Sequence, residues 1–291
     1  MQTMSPLMAE IKKRIQILKQ KQKSAMATMT NSLDSSQTKY KCDKCKDTGY
    51  IIKSWEGGGL AAECSCLEMK RLMRRFKSAM IPDEFKQATF QDYKIRCEAH
   101  EILLNAAKKY VEEFDQIKGT SANSLGFIAI FGEQRMKEMP KDQRAIMKRK
   151  HNNYGLGKTH LQVAIAKELL RKGEQVLIVA DVALMDELMN LRRSDNQQTF
   201  NERIHQLITV PVLVWDDIGK ANPTEAKQSM YFQIINERYR AQRPIIYSSN
   251  EDAETLSDRI GPAATSRLLG MSKGRIYRVE GPDYRLTGEA E

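Results

Sequence analysis

Residues 155–159, which read GLGKT, have the composition of a phosphate-binding loop. Glycines let backbone N–H groups turn toward phosphate oxygens, and the N-terminus of a following helix favours the same anion. Gly155 and Gly157 are therefore expected to line the phosphates. Lys158 is expected to reach the β- and γ-phosphates, and the hydroxyl of Thr159 to bind Mg²⁺. The pattern predicts a site for ATP with its magnesium ion.

The first glycine of this loop pattern is displaced. A P-loop has a glycine five residues before Gly157, but Asn152 occupies that position. Gly132, which directly follows an apolar run, restores the pattern if residues 134–153 are left out. We therefore interpret residues 134–153 as an insertion and assign Gly132 to the nucleotide site. The insertion either bulges outward, at a closure cost that grows slowly with length, or spoils the loop. We favour retained nucleotide binding.

A second motif supplies two acids. Residues 212–217 read VLVWDD, an apolar strand that ends in carboxylates. Asp216 is expected to hold the Mg²⁺ shell, and Asp217 to polarise the attacking water. Acids commonly follow buried strands, so this run alone is weak evidence. It lies one strand–helix unit after Thr159, however, and the combination with the phosphate loop at this spacing is specific.

Two more residues complete a set for phosphoryl transfer. Residues 244–250 read PIIYSSN, a buried strand that ends in Asn250, which is expected to orient the water. Arg267, in the run TSRLL, is a candidate to contact the γ-phosphate of a neighbouring subunit. The alternative for Arg267 is a surface salt bridge. Arg285 is a weaker candidate for the same role.

Four of the five cysteines lie within 25 residues of one another and form a CxxC pair and a CxC pair. They are Cys42, Cys45, Cys64 and Cys66. Four thiolates at this spacing predict a tetrahedral zinc site, which leaves no open position for catalysis. The metal would fold a module, residues 41–67, that is too small for much core. The alternative is a group of buried free cysteines, and Cys97 is expected to be simply buried.

The elements that must position these residues alternate from residue 125 onward. Short apolar runs typical of buried parallel strands lie at residues 125–131, 175–180, 212–216 and 244–248, with helical patterns between them. This alternation predicts an α/β domain with a parallel sheet flanked by helices.

The N-terminal part differs in composition. Residues 5–30 predict a helix with one apolar face, which either packs on its own body or docks a partner protein. A polar linker and a basic helix over residues 67–80 follow. We therefore divide the chain into an N-terminal docking region, residues 1–97, and an ATPase domain, residues 98–291.

The net charge of +10 is concentrated in two places. Residues 1–97 carry 19 basic and 10 acidic side chains, and residues 134–153 carry 7 and 2. Such blocks bind nucleic-acid phosphates or are solvated surface, and charge alone does not decide between them. No apolar run approaches the roughly 20 residues that span a membrane, and the start lacks a signal peptide. We expect a cytoplasmic protein with no membrane partner.

Together these motifs resemble the bacterial replicative helicase loaders of the DnaC and DnaI type, over about residues 40–286. GKT alone is common to many ATPases, but its combination with the cysteine module is specific. The insertion departs from the family pattern. The matching segments are the two cysteine pairs, Ile-Pro at 81–82, GKTHL at 157–161, DDIG at 216–219, SN at 249–250 and SRL at 266–268.

The resemblance implies a P-loop AAA+ ATPase that binds the hexameric replicative helicase through its N-terminal part and loads it onto single-stranded DNA. It also implies self-association through the AAA+ domain, with Arg267 acting in trans and ATP hydrolysis as the release switch. His160 belongs to the nucleotide site by the same resemblance. A strand-binding groove needs basic and aromatic side chains. The candidates are Arg192, Arg193, Phe200 and Lys227.

Two other functions stay open. A transposition helper ATPase of the IstB type has a similar AAA+ core, but its N-terminal region resembles a helical domain without a zinc module. The cysteines of this chain therefore argue against it. A helicase adaptor that has lost ATP hydrolysis is supported by the insertion alone.

Overall fold

A computed structural model describes residues 42–55, 58–194 and 197–283. They divide into two compact units, of which the first ends at Leu67 and the second begins at Glu68. The predicted helix over residues 5–30 and Arg285 lie outside the described residues. Within those ranges, no helix is both long and apolar enough to cross a bilayer.

The first unit contains a hairpin flanked by the cysteines. Strands β1 (Tyr50–Trp55) and β2 (Gly58–Glu63) pair antiparallel, with Tyr50 opposite Glu63. Because the register aligns the two ends of the hairpin, the cysteine pair before β1 and the pair after β2 come to the same end.

The second unit is built on a five-stranded parallel sheet. Its strands are β3 (Leu125–Ile128), β4 (Val176–Ala180), β5 (Val212–Asp216), β6 (Ile245–Ser248) and β7 (Ile276–Arg278). Their spatial order is β4-β5-β6-β3-β7. β3, the first strand of this unit along the chain, thus lies inside the sheet between β6 and β7. The predicted α/β class with a parallel sheet is confirmed.

Helices cover both faces of this sheet. Along β5, Val212 and Val214 pack in one apolar cluster, and Leu213 and Trp215 pack in the other. This two-residue alternation with both faces buried is the pattern of a parallel strand between helical layers. The helices along the described residues, whether or not they contact the sheet, are α1 (Cys66–Ser78), α2 (Glu98–Ile117), α3 (Glu133–Glu138), α4 (Lys141–Lys150), α5 (Lys158–Arg171), α6 (Asp181–Arg193), α7 (Gln197–Thr209), α8 (Glu225–Arg240), α9 (Ala253–Ile260) and α10 (Pro262–Met271).

A buried carboxylate fixes the end of β5. Asp181, the first residue of α6, accepts hydrogen bonds from Trp215 Nε1 at 2.9 Å, Tyr231 Oη at 2.7 Å and the N–H of Ala221 at 2.9 Å. Burial raises the pKa of Asp181 to about 6, although these donors oppose the shift. The three bonds tie the strand, α8 and the turn that follows β5 to one point.

Phe200 was a candidate for single-strand contact, and that prediction is wrong. Its side chain is 9% exposed and packs in an apolar cluster with Ile204 and Leu207 of the same helix. The spacing of these three residues places them on one face of α7, and that face is buried against the apolar cluster. Arg192 and Arg193 of α6 are exposed, and Lys227 lies 3.4 Å from Asp186.

Candidate nucleotide-binding site

The backbone of the GLGKT segment forms a turn that requires glycine. Gly155 and Gly157 have positive φ angles of 64° and 70°, and α5 begins directly at Lys158. A Cβ on Gly157 would also lie 2.5 Å from Cε2 of Tyr93. The N-terminus of α5 lines a cavity of about 340 Å³. Backbone N–H groups and the helix dipole at such a terminus favour an anion.

The two ends of the insertion lie next to each other. Asn153 Nδ2 donates to the carbonyl oxygens of Phe131 at 3.4 Å and Asn250 at 3.3 Å. The side chains of Tyr154 and Glu133 also interact, since each contributes to the pKa shift of the other. Glu133 and Tyr154, the residues that flank the insertion, are therefore in contact, as an outward bulge requires.

The insertion is largely helical, and its C-terminal end is held by contacts with the rest of the second unit. It contains α4 and nearly all of α3. Past α4, His151 Nδ1 lies 2.7 Å from Glu280 Oε2, and its ring stacks on Phe131 at 5.5 Å. Asn152 and Gly281 exchange two hydrogen bonds of 2.6 and 2.8 Å. These contacts hold the return of the chain beside the segment that follows β7.

Gly132 packs against the segment that leads into α9. Its N–H donates to Asp252 Oδ2 at 2.9 Å. A Cβ at this position would lie 2.7 Å from Thr255 Oγ1 and 2.8 Å from Glu251 Oε2. Close packing therefore explains the glycine, and its N–H is committed to a carboxylate. A contribution of Gly132 to nucleotide binding stays a prediction.

Lys158 is the buried cation of the site. Its side chain donates to Asn250 Oδ1 at 2.7 Å and to the carbonyl of Ser249 at 3.3 Å. Burial lowers the pKa of Lys158 to about 8, although the charges of Asp217 and Asp216 oppose the shift. A buried ammonium with neutral hydrogen-bond acceptors favours an added anion, and a phosphate would supply that charge.

Thr159 and Asp216, the predicted magnesium ligands, are in contact. Oγ1 of Thr159 lies 3.0 Å from both carboxylate oxygens of Asp216. Ser248 Oγ donates to Asp216 Oδ1 at 2.7 Å and accepts the N–H of Asp217 at 2.9 Å. Burial raises the pKa of Asp216, and the charge of Asp217 adds to the shift. A hydroxyl and a carboxylate beside a phosphate-sized cavity are a donor set that fits Mg²⁺.

Asp217 and Asn250 are also brought together. Asn250 Nδ2 donates to Asp217 Oδ1 at 3.1 Å, while Oδ1 of the same amide accepts from Lys158. The second oxygen of Asp217 accepts from Lys220 Nζ at 2.6 Å. One asparagine thus joins the lysine of the phosphate loop to the acid that was predicted to act on water.

His160 lies at the cavity, whereas Arg267 lies outside its described lining. His160 lines the cavity, and its Nε2 lies 2.7 Å from the carbonyl oxygen of Thr89. Arg267 is not among the described residues that line the cavity. Its guanidinium stands 5.0 Å from the ring of Phe232, and Nη1 donates to the carbonyl of Ala263 at 2.9 Å.

Three residues of the site were missed at the sequence level. Tyr93 Oη donates to the carbonyl of Leu156 at 2.7 Å, so the connector before α2 covers the phosphate loop. Ser248 holds both acids, and Lys220 bonds to the second of them. Lys220 follows the acid pair closely in the DDIGK run, which is a usable signal. Nothing local marks Tyr93, because its partner is 63 residues away.

The four clustered cysteines meet in the first unit. Their Sγ atoms all lie within 4.8 Å of one another, with 3.8 Å between Cys42 and Cys64 and 3.3 Å between Cys45 and Cys66. The N–H of Gly49 donates to Cys45 Sγ at 3.3 Å. Zinc–sulfur bonds of about 2.3 Å in a tetrahedron place sulfurs about 3.8 Å apart, so the cluster fits this metal.

Comparisons with known proteins give one family model and several similar relatives. Residues 151–289 match the family model described as IstB-like ATP binding protein, a match that begins at the end of the insertion. The replicative helicase loader DnaC of Escherichia coli K12 is 28% identical over 248 residues, which cover 83% of this chain and 89% of that protein. The resemblance to the helicase loaders is confirmed. The phage-like element PBSX protein XkdC of Bacillus subtilis is 25% identical over 266 residues, or 89% of each chain.

A solved structure supports the fold. The crystal structure of the DnaC helicase loader superposes with a TM-score of 0.51 and 21% identity, and covers 65% of this chain and 96% of that one. At this identity the likeness shows the fold alone. The predicted fold, a parallel sheet flanked by helices, is confirmed.

We predict that deleting residues 134–153 preserves nucleotide binding, because Glu133 and Tyr154 are already in contact. Closure free energy changes by only about 0.6 kcal/mol per doubling of loop length, so we expect an affinity within roughly threefold of the parent. Equilibrium binding of a fluorescent ATP analogue measures this. Lys158→Ala in the shortened chain is the control and should abolish binding. A shortened chain that is folded by circular dichroism but binds no analogue would contradict the prediction.

Proposed function

We propose that this protein is an ATP-dependent loader of the replicative DNA helicase, which acts in the cytoplasm and uses ATP hydrolysis as its release switch. The observation that carries the proposal is that Lys158, Thr159, Asp217 and Asn250 line one cavity, with Asp216 in contact with Thr159. The chain around this cavity is similar to DnaC over most of its length.

Each residue of the site has a chemical task in this proposal. Backbone N–H groups of the 155–157 turn and the ammonium of Lys158 bind the phosphates. Thr159 and Asp216 hold Mg²⁺, which neutralises charge on the β- and γ-phosphate oxygens when it is bound. Asp217 accepts a hydrogen bond from the attacking water, and Asn250 holds Asp217 and Lys158 in register. Of the insertion, residues 134–153, only Asn153 is among the described residues that line this cavity.

Self-association supplies the remaining cation in the proposal. Arg267 stacks on Phe232 outside the cavity of its own chain, where it is available to the γ-phosphate of a neighbouring subunit. An arginine placed in trans stabilises the charge that develops during phosphoryl transfer. The site would then hydrolyse ATP only when copies assemble through the AAA+ domain.

The N-terminal part provides the docking function. We propose that Cys42, Cys45, Cys64 and Cys66 hold one structural zinc ion and that residues 1–97 bind the hexameric helicase. The ATPase domain, residues 98–291, contacts single-stranded DNA. The exposed Arg192 and Arg193 of α6 are the remaining candidates for that contact, since Lys227 lies near Asp186 and Phe200 is buried.

A transposition helper ATPase of the IstB type is the second candidate. The family-model match over residues 151–289 favours it. The four-cysteine cluster, which lies outside that match, favours the loader. A helicase adaptor without ATP turnover is a third candidate, because the N–H of Gly132 is committed to Asp252.

We predict that the immobilised full-length chain captures the replicative helicase of its host, with a nonhydrolysable ATP analogue present. With ATP, the wild type should release the helicase, whereas Asp217→Asn should retain it because hydrolysis is blocked. Western blotting of the bound fraction measures both.

Lys158→Ala is the nucleotide-free control for this capture. Failure to capture the helicase in any nucleotide state would support the transposition function instead. Capture that ATP and its analogue affect equally would support the adaptor.

We also predict that the purified protein carries about one zinc ion per chain, because four thiolates complete a tetrahedral shell. Plasma mass spectrometry of the full-length protein measures the metal. Cys64→Ser should lose most of the zinc, and Cys97→Ser should keep it, since Cys97 precedes α2 in the second unit. Equal zinc in both variants, or none in the wild type, would remove the metal site.

A further inference from the structure

The turn after β5 carries a second lysine to the nucleotide cavity. Lys220 lines the cavity together with Lys158, Asp217 and Asn250. Its Nζ lies 2.6 Å from Asp217 Oδ2. The proposed mechanism of phosphate binding and hydrolysis assigns no role to the ammonium of Lys220.

The backbone that carries Lys220 is held in place from three sides. The N–H of Lys220 donates to the carbonyl of Asp217 at 3.1 Å. Arg259 Nη2 donates to the carbonyls of Lys220 and Ala221, each at 3.1 Å. The N–H of Ala221 donates to the buried carboxylate of Asp181 at 2.9 Å. The Cα of Lys220 is therefore fixed beside the cavity.

The ammonium itself is only weakly held. The side chains of Lys220 and Asp217 are 53% and 26% exposed, respectively. Ion pairs with this exposure are worth about 1 kcal/mol or less, so this one breaks at little cost. Burial lowers the pKa of Lys220, but the hydrogen bond to Asp217 and the charges of nearby carboxylates raise it by more. The pKa of Lys220 therefore lies above its ordinary value. Lys220 thus has a backbone that is held in place and a charged side chain that is free to change partners.

Its position is the γ-phosphate end of the cavity. Asn250 bonds both to Lys158 Nζ, at 2.7 Å, and to Asp217, at 3.1 Å, so two ammonium groups flank one asparagine–aspartate pair. Lys158 reaches the β- and γ-phosphates in a P-loop, and the acid of Asp217 faces the water that attacks the γ-phosphate. Lys220, bonded to that acid, therefore lies on the side of the cavity where the phosphate that distinguishes ATP from ADP is expected.

We propose that Lys220 is a specificity-determining residue that recognises the γ-phosphate of ATP within its own chain. Without nucleotide or with ADP, it stays on Asp217. With ATP, its ammonium moves onto a γ-phosphate oxygen and leaves Asp217 Oδ2 free to accept from the attacking water. Arg259 acts as a positioning residue, since it holds the turn but lies outside the set that lines the cavity. This inference rests on the proposed nucleotide binding.

The test compares nucleotide affinities of the full-length protein with Mg²⁺ present. In Lys220→Met, the affinity for a nonhydrolysable ATP analogue should fall about tenfold, the size of one charge-assisted hydrogen bond. The affinity for ADP should change by less than about twofold, because no contact to the α- or β-phosphate is lost. Isothermal titration calorimetry measures both. Lys220→Arg should retain the preference for the triphosphate.

Lys227→Met is the matched control, because it removes a lysine of the same unit that pairs with Asp186 outside the cavity. It should leave both affinities unchanged. An equal loss for the analogue and ADP in Lys220→Met, or no loss for either, would overturn the role of Lys220 and leave nucleotide binding intact. A wild-type chain that binds neither nucleotide would overturn the proposed function and this inference together.

Discussion

The buried ammonium of Lys158 is the constraint on which the candidate site depends. An ammonium that is 7% exposed is costly unless hydrogen bonds and opposite charges surround it. The parallel sheet provides these because β5 and β6 are neighbours and end at the same edge. Asn250 follows β6, Asp216 ends β5 and Asp217 follows it, so the cation bonds to an amide and a carbonyl and is also stabilised by the charges of two nearby carboxylates. A triphosphate with Mg²⁺ fits this arrangement of a cation, an amide and carboxylates.

The same constraint explains how a long insertion is tolerated at the phosphate loop. The cradle needs the 155–157 turn, the start of α5 and the strand ends, and none of these lies within residues 134–153. The chain leaves at Glu133 and returns at Tyr154, and these two side chains are in contact. Hydrogen bonds from Asn152 and Asn153 fix the return. The closed ends let the insertion form two helices without entering the loop.

Local patterns predicted most of the fold. The apolar runs became strands, and for β5 the predicted bounds, residues 212–216, are the observed ones. The run at 125–131 forms a strand only as far as Ile128. The residues beyond Ile128 do not pair with any of the described strands. No secondary structure was predicted for the insertion, yet its polar and basic residues lie mostly in α3 and α4.

What could not be predicted rests on contacts between distant segments. The four cysteines and the candidate residues at 158, 216, 217 and 250 could be singled out because residue type and spacing mark them, and the structure brings the members of each group together. Tyr93 covers the phosphate loop from a connector whose sequence carries no such mark. Phe200 was misplaced because a single aromatic residue beside basic ones does not reveal which face of its helix is buried. Knowing the face required the positions of Ile204 and Leu207 against the sheet.

The most direct test of nucleotide binding beside the insertion is a crystal structure with a nonhydrolysable ATP analogue and Mg²⁺. We expect the triphosphate at the N-terminus of α5, with Lys158 Nζ about 3 Å from its β- and γ-oxygens and Mg²⁺ bound by Thr159 and Asp216. Helices α3 and α4 should remain outside the cavity. An analogue bound elsewhere on the sheet, or a cavity filled by residues of the insertion, would contradict the central claim.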